Sequence, residues 1–170
     1  NKHKGQFNAH DIAMIANGAS KCGQKLCESV MGSLKTVIDA HINEFAPQHL
    51  SMIANGASKC GQALCESVMV SLEDAINNHK NKFEPQHLAT IAKGASKCGQ
   101  KLFEQLMGSL KGEIYKHKGR FKPQHLSMIA NGASKCGHEL CEAVMGSLEG
   151  VINKHKGQFN AHDIAMIANG

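Results

Sequence analysis

Four lysines, Lys21, Lys59, Lys97 and Lys135, stand 38 residues apart along this chain. A cation fixed once per period can neutralise one anionic group per unit. Three more positions share its side of the chain. Gln48, Met52, Asn55 and Lys59 fall at i, i+4, i+7 and i+11. At about 100° per residue, they occupy a wedge of roughly 60° on a helix. The equivalents read His10–Met14–Asn17–Lys21, Gln86–Thr90–Lys93–Lys97 and Gln124–Met128–Asn131–Lys135, with His162–Met166–Asn169 in a last fragment. The lysine is constant and its three neighbours vary. That combination suits a modular reader of a polyanion, with lysine on phosphate and the variable side chains on base edges. The candidate phosphate contacts are Lys21, Lys59, Lys97 and Lys135. The candidate base contacts are Met14, Asn17, Met52, Asn55, Thr90, Lys93, Met128 and Asn131. The alternative is a solvated face that recurs because the units were duplicated.

The other chemistry-bearing residues read as structural. Six of the seven cysteines form Cys-x4-Cys spacings (Cys22/Cys27, Cys60/Cys65, Cys136/Cys141), while Cys98 has Phe103 at its partner position. A small apolar slot accepts Phe and a ligand position does not, so the thiols are expected to be buried, reduced hydrophobes. The spacing does not suit zinc, and no metal or other cofactor is expected. Reduced core thiols favour an intracellular, reducing compartment. His41, His79, His117 and His155 end a helix, where an imidazole can meet the last carbonyls or pack between repeats; Glu28, Glu66, Glu104 and Glu142 lie near a helix start. No nucleophile–base pair, paired carboxylates or phosphate-cradling loop stands out, so the chain is not expected to be an enzyme.

The elements that must position the lysines follow from the period. Phe7, Phe45, Phe83, Phe121 and Phe159 mark the register. Residues 7–44, 45–82, 83–120 and 121–158 are full units, with the end of a preceding unit at 1–6 and the start of another at 159–170. In residues 45–82, Pro47 suits a first helical turn. Leu50, Ile53, Ala54, Ala57 and Cys60 make one apolar face, and Gly61 is read as the stop. Leu64, Val68, Leu72 and Ile76, with Met69 beside them, make a second stripe that ends near His79. The expected fold class is all-α, an α-solenoid superhelix of tandem helix–turn–helix repeats forming one array. Gly18, Gly56, Gly94 and Gly132 sit mid-helix, where Gly costs about 1 kcal/mol against Ala. Close approach of a ligand backbone and close packing of helices are both open as reasons.

Bulk properties add bounds. The net charge is +5, and the units carry −1, 0, +4 and +1 in chain order. This mild excess permits a polyanionic partner. No apolar run reaches the roughly 20 residues of a membrane span, so no membrane partner is expected. Residues 153–170 duplicate residues 1–18 letter for letter, which suggests a window on a longer array. Such units stack end to end, and self-association through uncapped ends is expected.

The segments FAPQHLSMIANGASKCG (45–61) and FKPQHLSMIANGASKCG (121–137), in a 38-residue unit, resemble the octotricopeptide repeat. The resemblance implies paired-helix solenoids that bind single-stranded RNA, about one nucleotide per repeat. The Trp-containing second half of that repeat is absent here, and the units at Phe7 and Phe159 carry Ala-His in place of Pro-Gln. A second likeness rests on Phe7, Asp11, Ile12, Ile15, Ala16, Gln24 and Leu26. These are similar to transcription activator-like effector repeats, which implies duplex DNA read by two adjacent residues per unit. The matching positions, Gly18-Ala19, Gly56-Ala57, Gly94-Ala95 and Gly132-Ala133, are all alike. RNA is preferred over DNA as the expected partner. A protein-binding helical scaffold is the remaining alternative.

Overall fold

The computed structural model describes residues 7–168; the expected end of a preceding unit at 1–6, and Asn169 of the last wedge, lie outside them. Among the described residues the chain is all-helical and has no strand. Helices α1 (Ala9–Ala19), α3 (Pro47–Ala57), α5 (Pro85–Ala95), α7 (Pro123–Ala133) and α9 (Ala161–Ala168) alternate with α2 (Gln24–Ala40), α4 (Gln62–Asn78), α6 (Gln100–His117) and α8 (His138–His155). Short 3-10 turns cover Ile42–Glu44 and Lys118–Arg120. The odd-numbered helices pack each on the next, the even-numbered helices do the same, and each odd helix packs on the even helix that follows it.

The apolar faces read from the sequence form the seam between these two layers. Leu50, Ile53, Ala54 and Ala57 are buried from α3, and Val68, Met69, Leu72 and Ile76 from α4. Phe45, Phe83 and Phe121 fill the gaps where one unit passes to the next, and all three are buried. Aliphatic side chains of modest size let the helices approach closely, and the three phenyl rings supply the bulk.

Local chemistry sets the ends of each helix. Pro47, Pro85 and Pro123 occupy first-turn positions, where a missing N–H costs nothing. In these three helices a histidine completes the start. His49 Nδ1 accepts from the Ala46 N–H at 3.3 Å, His87 Nδ1 from Glu84 at 3.2 Å and His125 Nδ1 from Lys122 at 3.3 Å. Helix α1 instead uses a reciprocal pair: Asp11 N–H donates to Asn8 Oδ1 at 2.9 Å and Asn8 N–H to Asp11 Oδ2 at 3.2 Å. Asn160 and Asp163 repeat that arrangement in α9.

Gly61 does not stop the first helix as the sequence suggests. That helix ends at Ala57, and Gly61 caps the start of α4 with φ −60°. Its role is to admit a neighbour. Glu28 Oε1 accepts from the Gly61 N–H at 2.6 Å, and a Cβ on Gly61 would lie 2.9 Å from that oxygen. Glu66 binds Gly99 and Glu104 binds Gly137 in the same way, both at 2.6 Å. The recurring glutamates thus hold a free N–H at the helix start of the following unit, a more specific role than a favourable dipole alone.

Packing of neighbouring helices accounts for two of the mid-helix glycines. A Cβ on Gly56 would stand 2.6 Å from Ala16 O, and one on Gly94 2.8 Å from Ala54 O. At Gly132 the gap to Ala92 O is 3.4 Å, an ordinary contact that does not by itself require glycine. Helix backbones meet at these points, which leaves no room there for a ligand backbone. Gly18 faces open space, so this reason does not extend to it.

Candidate nucleic-acid interface

Each lysine is placed by its backbone. Ser58 ends α3 and its hydroxyl donates to Asn55 O at 2.7 Å; the next N–H, that of Lys59, donates to Gly56 O at 3.1 Å. Lys21, Lys97 and Lys135 repeat this turn on Gly18, Gly94 and Gly132. The four lysines therefore lie in the turns after α1, α3, α5 and α7, not on the helix as the wedge reading has it. All four are exposed. Burial, and then the neighbouring Lys97, hold the Lys135 ammonium below the ordinary lysine range. Those two cations in adjacent units sense one another, and an anion between them would relieve the repulsion.

The variable residues take two kinds of place. Met14 is exposed, while Met52, Thr90 and Met128 are half-buried. Asn17, Asn55 and Asn131 are half-buried as well, and Lys93 is exposed. The structure brings Asn17 and Asn55 together. Asn55 Nδ2 donates to Asn17 Oδ1 at 3.2 Å and to Ser20 Oγ at 3.1 Å. Asn131 Nδ2 donates to Met166 O at 3.4 Å. These amides are partly spent on joining units, which reduces what they can offer a base. Lys93 takes the same position in the third unit and interrupts the row. The Thr90 hydroxyl donates to Gln86 O at 2.8 Å, which leaves its lone pairs as acceptors.

Two shallow hollows run along this face. One, of about 280 Å³, is lined by Asn17, Met52, Asn55, Gln86, Thr90, Lys93 and Met128, with Ser51 behind them. The other, of about 260 Å³, is lined by Gln86, Thr90, Lys122, Gln124, His125 and Met128. They share Gln86, Thr90 and Met128, so they form one continuous depression that reaches from Asn17 of the first unit to His125 of the fourth. None of Lys21, Lys59, Lys97 and Lys135 lines either hollow.

Sequence reasoning missed Lys122 and His125. Lys122 holds a position that is Ala46 and Glu84 in the preceding units, and that variation was the available signal. Burial, and for His125 then Lys122, hold the imidazoles of His87 and His125 below their ordinary value. Burial, followed by His10, does the same for His49, whose ring meets that of His10 edge-on at 5.8 Å.

Of the other periodic histidines, His79 has its Nδ1 buried without a hydrogen-bond partner among the described residues, and the remaining three turn away from the helix end. His41 Nδ1 lies 3.1 Å from Glu44 Oε1, His117 Nδ1 lies 3.3 Å from Arg120 Nη1, and His155 Nδ1 lies 3.0 Å from Gln158 Oε1. Their side chains reach into the following connection and not back to the helix carbonyls.

No model of a known protein family matches the chain, and no curated protein matches it. No helix among the described residues is long and apolar enough to cross a membrane.

Proposed function

We propose that the chain is an α-solenoid that binds single-stranded nucleic acid, RNA in preference to duplex DNA, along the face of its odd-numbered helices. The observation that carries this reading is the depression lined by Met52, Asn55, Gln86, Thr90, Lys93 and Met128, on a chain that also exposes a lysine at a constant period in the turns after α1, α3, α5 and α7. Lys21, Lys59, Lys97 and Lys135 track phosphates. The side chains of the depression meet bases, with Lys122 and His125 added to the set. The third unit, with Thr90 and Lys93, has a preference unlike the first two, whose Asn17 and Asn55 are tied to each other. The role is binding without catalysis, and the free thiols suit a reducing compartment.

Selection from randomised single-stranded RNA and duplex DNA pools, run in parallel, tests the reading. Enrichment in the RNA arm is expected. Affinity for the selected RNA should fall log-linearly with salt, with a slope that shrinks by roughly 0.7 for each phosphate contact removed by a Lys→Ala change. Enrichment only in duplex DNA would replace the ligand with the one implied by the effector-repeat likeness. Failure of both pools, with the Lys→Ala variants indistinguishable from the parent, would leave a protein-binding scaffold.

A further inference from the structure

The cysteines pair between units, in a register the Cys-x4-Cys spacing does not reveal. Cys27 Sγ lies 3.6 Å from Cys60 Sγ, and Cys65 Sγ lies 3.3 Å from Cys98 Sγ. Cys27 and Cys60 also face Gly56 O, at 3.4 Å and 3.8 Å, and Cys65 faces Gly94 O at 3.8 Å. The same carbonyls that end the odd helices therefore orient the sulfurs. At the next junction Phe103 takes the position of Cys65, and Cys136 is left without a partner of that kind. All seven cysteines are free thiols.

We propose that Cys27–Cys60 and Cys65–Cys98 are oxidisable thiol pairs that close into disulfides on meeting a hydroperoxide, each tying one helical unit to the next. The sulfurs need to approach by roughly 1.5 Å to reach a bond of about 2.05 Å. In the second pair the Cys65 thiolate attacks the terminal oxygen of hydrogen peroxide. The O–O bond breaks, the departing hydroxide takes a proton and leaves as water, and Cys65 becomes a sulfenic acid. Cys98 then attacks the Cys65 sulfur. The S–O bond breaks, and the oxygen leaves as a second water with the Cys98 proton. The two thiols give up two electrons, which the peroxide accepts.

The two pairs differ in readiness. The Cys98 hydrogen bond favours the thiolate of Cys65, and half-buried Cys98 opens the pair toward solvent. Burial, followed by the contact with Cys27, pushes the Cys60 thiol up to about 12, and Cys27 is wholly buried. The Cys65–Cys98 bond therefore forms first.

The test uses the full chain, reduced and desalted, then treated with stepwise hydrogen peroxide, alkylated, digested and mapped by mass spectrometry. The expected result is a Cys65–Cys98 cross-link at low dose and a Cys27–Cys60 cross-link at higher dose, with Cys22, Cys136 and Cys141 still alkylated. Tm should rise with cross-linking and return when dithiothreitol is added. Alkylation of all seven thiols at every dose would overturn the proposal. So would sulfinic acids at Cys65 and Cys98 without a cross-link, or disulfide-linked dimers through exposed Cys22. Cys98→Ser should trap a sulfenic acid at Cys65; a Cys60–Cys65 bond in that variant would show the assigned pairing to be wrong. Mapping of the unmodified chain decides the matter even if the variant does not fold.

Discussion

Gly56 and Gly94 of the odd helices and the glycines of the even helices have opposite surroundings. In the odd layer Gly56 and Gly94 admit the carbonyl oxygen of a neighbouring helix. In the even layer Gly32, Gly108 and Gly146 face open space, and the equivalent residue of the second unit, Val70, is an exposed valine. One residue type thus marks a contact in one layer and tolerance in the other. The comparison teaches that recurrence at a fixed period does not by itself report constraint. What reports it is the distance at which a missing Cβ would collide.

The largest expected effect strikes the tight layer. Gly56→Leu would push Ala16 and α1 away and should cost about 3 kcal/mol, read as a lowered urea midpoint at unchanged m. If it proves neutral, the close packing is not what holds the odd layer. A second effect tests the glutamate that crosses between units in the looser layer. Glu66→Ala leaves the Gly99 N–H without its charged acceptor and should cost about 2 kcal/mol.

A smaller, pH-dependent difference separates the histidine-capped helices from α1. His49, His87 and His125 cap as neutral imidazoles and are held below their ordinary value of about 6.5. As pH falls through that value the unfolded chain binds protons that the folded chain resists. Stability conferred by these caps is therefore full above it and declines below it. Urea midpoints at pH 7.5 and 5 should show this loss. His87→Asp, which copies the cap of α1, should weaken the loss without lowering stability at pH 7.5. The smallest effect has the opposite sign. Gly108→Ala, in open space on α6, should stabilise by roughly 0.5–1 kcal/mol, whereas Gly94→Ala should not.

Much of the fold was legible because a single periodicity repeats. The stripes Leu50–Ile53–Ala54–Ala57 and Leu64–Val68–Leu72–Ile76 marked the helices and their buried sides, although Leu64 remains partly exposed. Gly61 misled because glycine both ends helices and clears space, and only φ and the neighbouring Glu28 distinguish the two. The lysines were found, yet their turn was read as helix, since a helical wheel cannot see where a helix stops. Lys122 and His125 escaped because a hollow between units depends on how units sit together, which no single unit encodes. The cross-unit thiol pairs escaped for the same reason.

The reach of the tertiary bonds has a kinetic consequence. Asn55 meets Asn17 across 38 positions, Arg120 meets Glu84 across 36, and Glu66 meets Gly99 across 33; no side-chain hydrogen bond among the described residues spans more. Each such bond closes a loop far shorter than the chain of 170 residues. Closure entropy grows only with the logarithm of loop length, so no late contact waits on a large chain search. Contact order stays low however many units are joined, and structure that forms at one junction can spread to the next.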